Sequence, residues 1–455
     1  MKHSILKSLR TLLFREADIL PLVFFRGVFG LLCVAEGFMG LFNSGLHASY
    51  ALPFRFTYTF FHWLEPLPAP GMYVLYTLFL ILGVCILLGA YYRIATAIFA
   101  VGFAYSFLLT KEYYLNHGYL YVFICFLMAL LPAHRKFSWD VDRGRVPETD
   151  RVAWWQVYLL PLLMGVVYFY GGLAKLQADW LAAKPLKIWL SARADYWLIG
   201  ELLASETMAY FMAYGGLILD LSAPFLLLWH RTRVYVLVVI LFFHLTNTMI
   251  FLIGIFPWMS IALSLMYFPA SRFRAVLYRL RPGLQTYPLV LSYHRPSRSR
   301  QNAIIAVLLL FLGYHLLMPF RHHLYEGDVN WTEEGHRFSW RMMLRSKSGR
   351  GFFLIRANEK DSPWVAQPRD FLTPRQRRKL LTHPDMIYEF AQYLGRYYAE
   401  KGYTGVAVYA HVEASLNRRP FIPLVDAKVN LLDAQWSIFC HDEWIYPEPV
   451  TPETK

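Results

Sequence analysis

Nine apolar stretches, each near the length that crosses a bilayer, recur through the first 320 residues of this 455-residue chain. They fall at 21–42, 71–90, 94–110, 118–132, 153–174, 206–229, 234–254, 256–270 and 302–320. A helix needs about 20 residues to span the hydrocarbon core. Only 17% of the residues are charged, against about 25% in soluble domains, and the mean hydropathy is +0.33. These values exclude an ordinary soluble enzyme and a disordered chain. The expected fold is a polytopic α-helical membrane protein of about nine transmembrane helices, with a small C-terminal extracytoplasmic α+β domain.

Charge placement sets the expected topology. With a cytoplasmic N-terminus, one side receives residues 1–20, Arg93, 133–152, 230–233 and 271–300, which hold 19 Lys and Arg. The opposite short loops, 43–70, 111–117 and 175–204, hold 6. The positive-inside rule therefore favours a cytoplasmic N-terminus. The net charge of +14 is then largely a matter of loops facing anionic lipid, including the basic stretch Arg272 to Arg300, and nucleic acid is not an expected partner. Residues 1–20 carry four cations without an apolar core, so no cleaved signal peptide is expected.

Residues 1–320 read as the membrane domain and 321–455 as the extracytoplasmic domain. In the second, 338–346, 351–356, 405–416 and 425–432 suggest strands, and 374–400 one or two helices. Cys33, Cys85 and Cys125 lie in apolar runs and Cys440 stands alone, so no disulfide framework is expected.

Polar and ionisable groups inside a bilayer are costly and mark function by default. Here they are Arg26, Glu36, Asn116 with His117, Lys175, Asp220, His244 with Asn247, and His315, His322 and His323 near the last span. Bland readings exist for each. Lys175 can snorkel to the interface, a lone membrane histidine can hydrogen-bond between helices, and Asp220 can pair with a cation of a neighbouring span. Against these stands convergence. Asn116, His117, Lys175 and the His322 region all fall at span ends on one side, with His244 one or two turns deeper. That pattern predicts a shared polar cavity. HExxH, CxxC, GxSxG, Walker and GxGxxG motifs are missing, and the dispersed histidines predict no metal site. The residues alone thus stop short of a reaction.

In chain order, the phrases LEPLPAPGMYVLYT, LLGAYYRIA, LNHGYLY, YFYGGLAKLQADWL, GGLILDLSAPFLL, FFHLTNTMIFLIGIF, NWTEEGHRFSWRMMLRS and NRRPFIPLVD resemble the vitamin K-dependent gamma-glutamyl carboxylase family and its HTTM membrane domain. The similarity runs from about residue 20 to 445. It implies an enzyme in which reduced vitamin K, a naphthohydroquinone, is deprotonated by a lysine and oxygenated by O2. The basic product removes a glutamate γ-proton, the carbanion captures CO2, and the quinone leaves as its epoxide. In this chain the motif lysine matches Lys175, and the Asn-His pair matches Asn116 and His117. Tyr168, His244 and His322 match further family positions. Neither metal nor biotin is implied.

The residue types suit such chemistry. A lysine acts as a base only where its ammonium form is destabilised, as apolar burial does. Asn116, His117 and Tyr168, with His244, can hydrogen-bond quinol oxygens, and a dry pocket shields a strong base from water. In the C-terminal part, Trp340, Arg345 and Arg419 sit in matched phrases together with His322, where an arginine could clamp the substrate carboxylate. There are departures from the family pattern: Ala174 precedes the lysine, Gln177 replaces an acid, and Arg341 stands where the family has an acid. The substrate-presenting part is the most altered. Two other expectations remain open beside γ-carboxylation of a Glu-containing protein: quinol epoxidation without peptide carboxylation, and a non-catalytic quinone- or lipid-binding module or transporter. The expected location is a bacterial inner membrane. Asn330-Trp331-Thr332 is a glycosylation sequon only in a eukaryote.

Overall fold

A computed structural model describes residues 2–251, 253–280, 282 and 293–447. In chain order its apolar helices are α1 (Leu20–Phe42), α2 (Ala69–Leu88), α3 (Tyr92–Leu108), α4 (Asn116–Leu130), α5 (Trp154–Leu173), α6 (Glu206–Leu228), α7 (Arg233–Phe251) and α8 (Phe256–Leu265). The basic helix α9 (Ala270–Leu280) and the apolar α10 (Arg298–Leu317) follow. Among the described residues, six helices are long and apolar enough to cross a membrane: α1, α2, α5, α6, α7 and α10 with its continuation to Leu324. The other three expected spans are helices of 10–17 residues, short of that length. The shortest, α8, rises about 15 Å at 1.5 Å per residue, half a bilayer core. It still returns the chain to the end where α7 begins, because Arg233 lies over the ring of Phe268, 5.8 Å from its centroid.

Small residues set the helix spacing. A Cβ on Gly30 would lie 2.5 Å from the backbone of Leu87, and one on Gly83 2.7 Å from Val34, so α1 and α2 touch backbone to backbone. Arg26 and Glu36, both on α1, do not pair. The buried guanidinium of Arg26 donates to the carbonyls of Ala133 (2.9 Å), Lys136 (3.1 Å) and Phe137 (2.6 Å), fixing the turn after α4. Glu36 instead faces a cavity.

The C-terminal region holds β1 (Lys347–Arg356), β2 (Trp364–Ala366), α11 (Pro374–Leu380), α12 (Pro384–Glu400), β3 (Ala407–Leu416) and β4 (Ile422–Pro423). The antiparallel sheet has the order β2-β1-β3-β4, with Phe353 opposite Ala410 and Ile355 opposite Val408. These inward residues pack on Met386, Phe390 and Leu394 of α12, the period-2 pattern meeting the period-3.6 pattern. Thr373 caps α11 in a reciprocal pair with Gln376.

Two expected strands are not strands. Residues 338–346 form an irregular loop with left-handed backbone at Phe338, Trp340 and Met343. Its polar groups turn to the bundle: Phe338 N–H donates to the Tyr114 hydroxyl (2.6 Å) and the Arg341 carbonyl accepts from Asn116 (2.9 Å). A backbone satisfied this way has no need of a neighbouring strand. Over 425–432 the Asp426 carboxylate accepts from Lys428 N–H, an Asx turn that competes with extension; only Val425 makes a bridge, to Ile445.

Candidate functional site

One cavity of about 1000 Å³ runs from mid-bundle to the C-terminal region, and Asn116, His117, Tyr168, Lys175, His244 and Arg345 all line it. Sequence spacing placed Asn116, His117, Lys175 and His244 at converging depths together with the His322 region, which lies outside this lining, and the family resemblance added Tyr168. The fold brings the lining residues together.

Lys175 sits two residues beyond α5. Its Nζ donates to Asp220 Oδ2 on α6 at 2.5 Å and to the Gly171 carbonyl at 3.2 Å, and both side chains of the ion pair are under 10% exposed. Glycine makes this meeting possible: a Cβ on Gly172 would lie 2.9 Å from the backbone of Leu221 and 2.8 Å from its side chain. The end of α5 therefore presses on α6 beside Asp220. Apolar burial disfavours the ammonium form, and Asp220 is the cation-pairing acid that the sequence allowed for. It offsets the cost of burying the lysine's charge.

Tyr168 lies seven residues earlier, two turns along the same face of α5. Its hydroxyl is 2.7 Å from His244 Nε2 on α7, while His244 Nδ1 is buried and without a partner among the described residues. Phe256 stands between His117 and His244, its ring 5.5 Å from that of His117 and 5.8 Å from that of His244. Asn116 is held at both ends, accepting from the Tyr114 hydroxyl (2.8 Å) and donating to the Arg341 carbonyl. No described residue hydrogen-bonds the His117 ring. Unpartnered imidazole nitrogens beside an aromatic wall can take a flat polar-edged ligand.

At the C-terminal end the lining turns basic. Arg345 grips both carboxylate oxygens of Glu333, and Lys347 lies 3.7 Å from one of them. Arg337 and Lys111 converge on Asp385 at 2.6 and 2.7 Å. Lys379 and Arg378 also line the cavity, and neither finds a side-chain partner among the described residues. Burial, with Arg345, Arg337, Arg375 and Arg378 nearby, brings the Lys379 ammonium down to about 8. Burial likewise holds His336 and His383 well below the usual histidine range. Glu333, His336 and His383 place their donor atoms within 4.8 Å of one another, which has the composition of a metal centre. Its carboxylate, however, is committed to Arg345 and Lys347. A cation there would face the Arg345 guanidinium, with burial and that guanidinium pushing the Lys347 ammonium well below the usual lysine range.

Three other sequence candidates lie outside the cavity lining. Trp340 is 1% exposed and packs between Tyr119 and His315. The imidazole of His322 meets the Pro319 carbonyl through Nδ1 at 2.8 Å. Arg419 reaches Asp179 at 2.6 Å on the surface. Of the residues that shape the site, sequence reasoning did not single out Glu333, His336, Lys347, Lys379 or His383. The phrases EEGHRF and LLTHPDM hold several of them, but nothing in their spacing shows that the two segments meet.

Residues 14–271 match the HTTM domain family, and residues 300–451 match the lumenal domain of vitamin K-dependent gamma-carboxylase. No solved structure matches the chain.

Proposed function

The chain belongs to the vitamin K-dependent gamma-carboxylase family, and from that premise we propose that it couples oxygenation of reduced vitamin K to γ-carboxylation of glutamate in a protein substrate. The observation that carries the reading is the buried Lys175–Asp220 pair opening onto the same cavity as His117 and the Tyr168–His244 pair. The naphthohydroquinone supplies, with O2, the strong base that activates glutamate toward CO2.

The chain's own residues position and deprotonate. Lys175 Nζ donates directly to Asp220 Oδ2, so the carboxylate is placed to take the ammonium proton. When it lies on Asp220, the Lys175 amine has a free lone pair and accepts a proton from a hydroquinone hydroxyl. The resulting ammonium stays beside the oxyanion it has created and stabilises it. His117 and the Tyr168–His244 pair hydrogen-bond the quinol oxygens, using the imidazole nitrogens that have no protein partner. The apolar walls exclude water that would otherwise quench a strong base or a carbanion.

Substrate glutamate would enter from the basic end, where Lys379 and Arg378 offer charge that no carboxylate among the described residues neutralises. Arg345 and Arg419 are already engaged with Glu333 and Asp179, so the clamp shifts to these two residues. The same engagement favours a second reading, quinol epoxidation without a peptide acceptor. In the proposed orientation the N-terminus is cytoplasmic and residues 321–455 form the extracytoplasmic domain of a bacterial inner-membrane protein, supported by the charge asymmetry of the loops and the match to a lumenal domain.

Purified protein given vitamin K hydroquinone, O2, labelled CO2 and a Glu-containing peptide tests the reading. Epoxide and peptide-bound label together support it. Epoxide without label selects the second reading, and the absence of both products contradicts each.

A further inference from the structure

At the opposite end of α1 from the cavity lies a second, separate depression. Glu36, Met39 and Gly40 of α1 face the large cavity, whereas Leu20, Val23 and Phe24 form one wall of a groove of about 480 Å³. Helix α9 forms the other wall. Its Phe273, Val276, Leu277 and Leu280 recur at i, i+3, i+4 and i+7, one stripe of a helical surface. Phe273 packs on Phe24 with ring centroids 5.2 Å apart, and Arg274 ties α9 to Asp18 at 2.6 Å.

Among the described residues, all that line this groove are apolar except one, Arg272. Arg272 is exposed and has no side-chain partner among the described residues. Arg279, seven residues on, lies on the same flank of α9 and is also exposed. Val276 and Leu280 are 58% and 76% exposed, so α9 buries little of its apolar stripe against protein. A short basic helix with an open apolar face lies in the plane of a membrane surface, its stripe in the acyl region and its cations at headgroup level. The groove adds what a merely interfacial helix lacks: a walled apolar slot ending at an unpaired guanidinium.

We propose that this groove binds one acyl chain of an anionic phospholipid, with the lipid phosphate held by Arg272. Guanidinium and phosphate match in geometry and charge, and a juxtamembrane arginine is the residue type that selects anionic over zwitterionic lipid. The site is independent of the proposed chemistry, since neither Arg272 nor α9 touches the cavity that holds Lys175.

Native mass spectrometry of the full chain in neutral detergent, titrated with phosphatidylglycerol or phosphatidylcholine of identical chains, tests the proposal. The expected result is one tight phosphatidylglycerol per chain, bound about tenfold more strongly than phosphatidylcholine. Arg272→Glu should remove that preference, and Leu277→Trp, which fills the slot, should weaken both lipids. Arg300→Glu, the same charge reversal on another exposed arginine of the basic stretch, should leave binding unchanged. Equal binding of the two lipids would overturn the proposal. So would an Arg272→Glu chain that keeps the preference, or an Arg300→Glu chain that loses as much of it.

Discussion

The two ends of the large cavity handle buried charge in different ways. Within the bundle one cation, Lys175, is paired with one carboxylate, Asp220, and the other carboxylate on the lining, Glu36 of α1, meets no cation among the described residues. Toward the C-terminal region cations outnumber carboxylates: Arg345 and Lys347 share Glu333, Arg337 and Lys111 share Asp385 with Glu389 also on Lys111, and Lys379 and Arg378 have no side-chain partner among the described residues. A one-to-one pair in a dry pocket keeps a proton within reach of two atoms. An excess of cations near a cavity mouth attracts an anion. The same continuous space thus joins a place suited to proton transfer with a place suited to binding a carboxylate.

The largest expected effect breaks the one-to-one end. Asp220→Asn leaves Lys175 buried without a counterion and should cost about 3–5 kcal/mol of stability, read as a fall in thermal midpoint in detergent. Replacing both partners with Met and Leu should recover most of that loss without restoring turnover. Wild-type stability in the single variant would show that the pair is not the unit described.

Next comes the crowded end. Burial alone would push the Asp385 carboxyl up, but Arg337 and Lys111 outweigh it and hold the group well below the ordinary carboxylate range. A depressed acid contributes stability that is present above its unfolded value, near 3.9, and lost as pH falls through the folded one. Asp385→Asn should therefore lower stability at neutral pH by about 3 kcal/mol and flatten the acid limb of a stability–pH curve. An unchanged acid limb would remove Asp385 as a tie between Lys111 of the bundle and the C-terminal region.

A smaller change probes the neutral groups. Tyr168→Phe deletes one hydrogen bond to His244 and should slow epoxide formation about tenfold with little loss of fold. A variant as fast as wild type would take the tyrosine out of quinol positioning. The smallest effect concerns Lys379, whose ammonium is lost as pH rises through about 8. Affinity for a Glu-containing peptide should weaken several-fold over that range, and Lys379→Ala should abolish the pH dependence. A peptide affinity flat across pH 7–9 in the wild type would assign the carboxylate elsewhere.

Much of the bundle was legible because its signal is local. Apolar runs and their breaks lie in consecutive residues, and Lys175, Asn116 and His117 stand out against apolar neighbours. The half-length α8 was less so, since composition does not show where Gly254 and Pro257 start a helix. Pairing was harder still. Asp220 was visible as an oddity, but its partner depends on Gly172 bringing α5 against α6. Residues 338–346 alternate like a strand, yet their backbone bonds go to Tyr114 and Asn116, more than 200 residues earlier. The basic end was least legible, because Glu333, Lys347, Lys379 and His383 come from separate segments joined only by the sheet and α11.

The most direct test of the central claim is the rate of vitamin K epoxide formation from hydroquinone and O2 by Lys175→Ala, beside the wild type, with folding checked by thermal midpoint. If the Lys175–Asp220 pair is the base, the folded variant forms no epoxide above the uncatalysed background while the wild type does. A folded Lys175→Ala protein that makes epoxide at the wild-type rate would contradict the account.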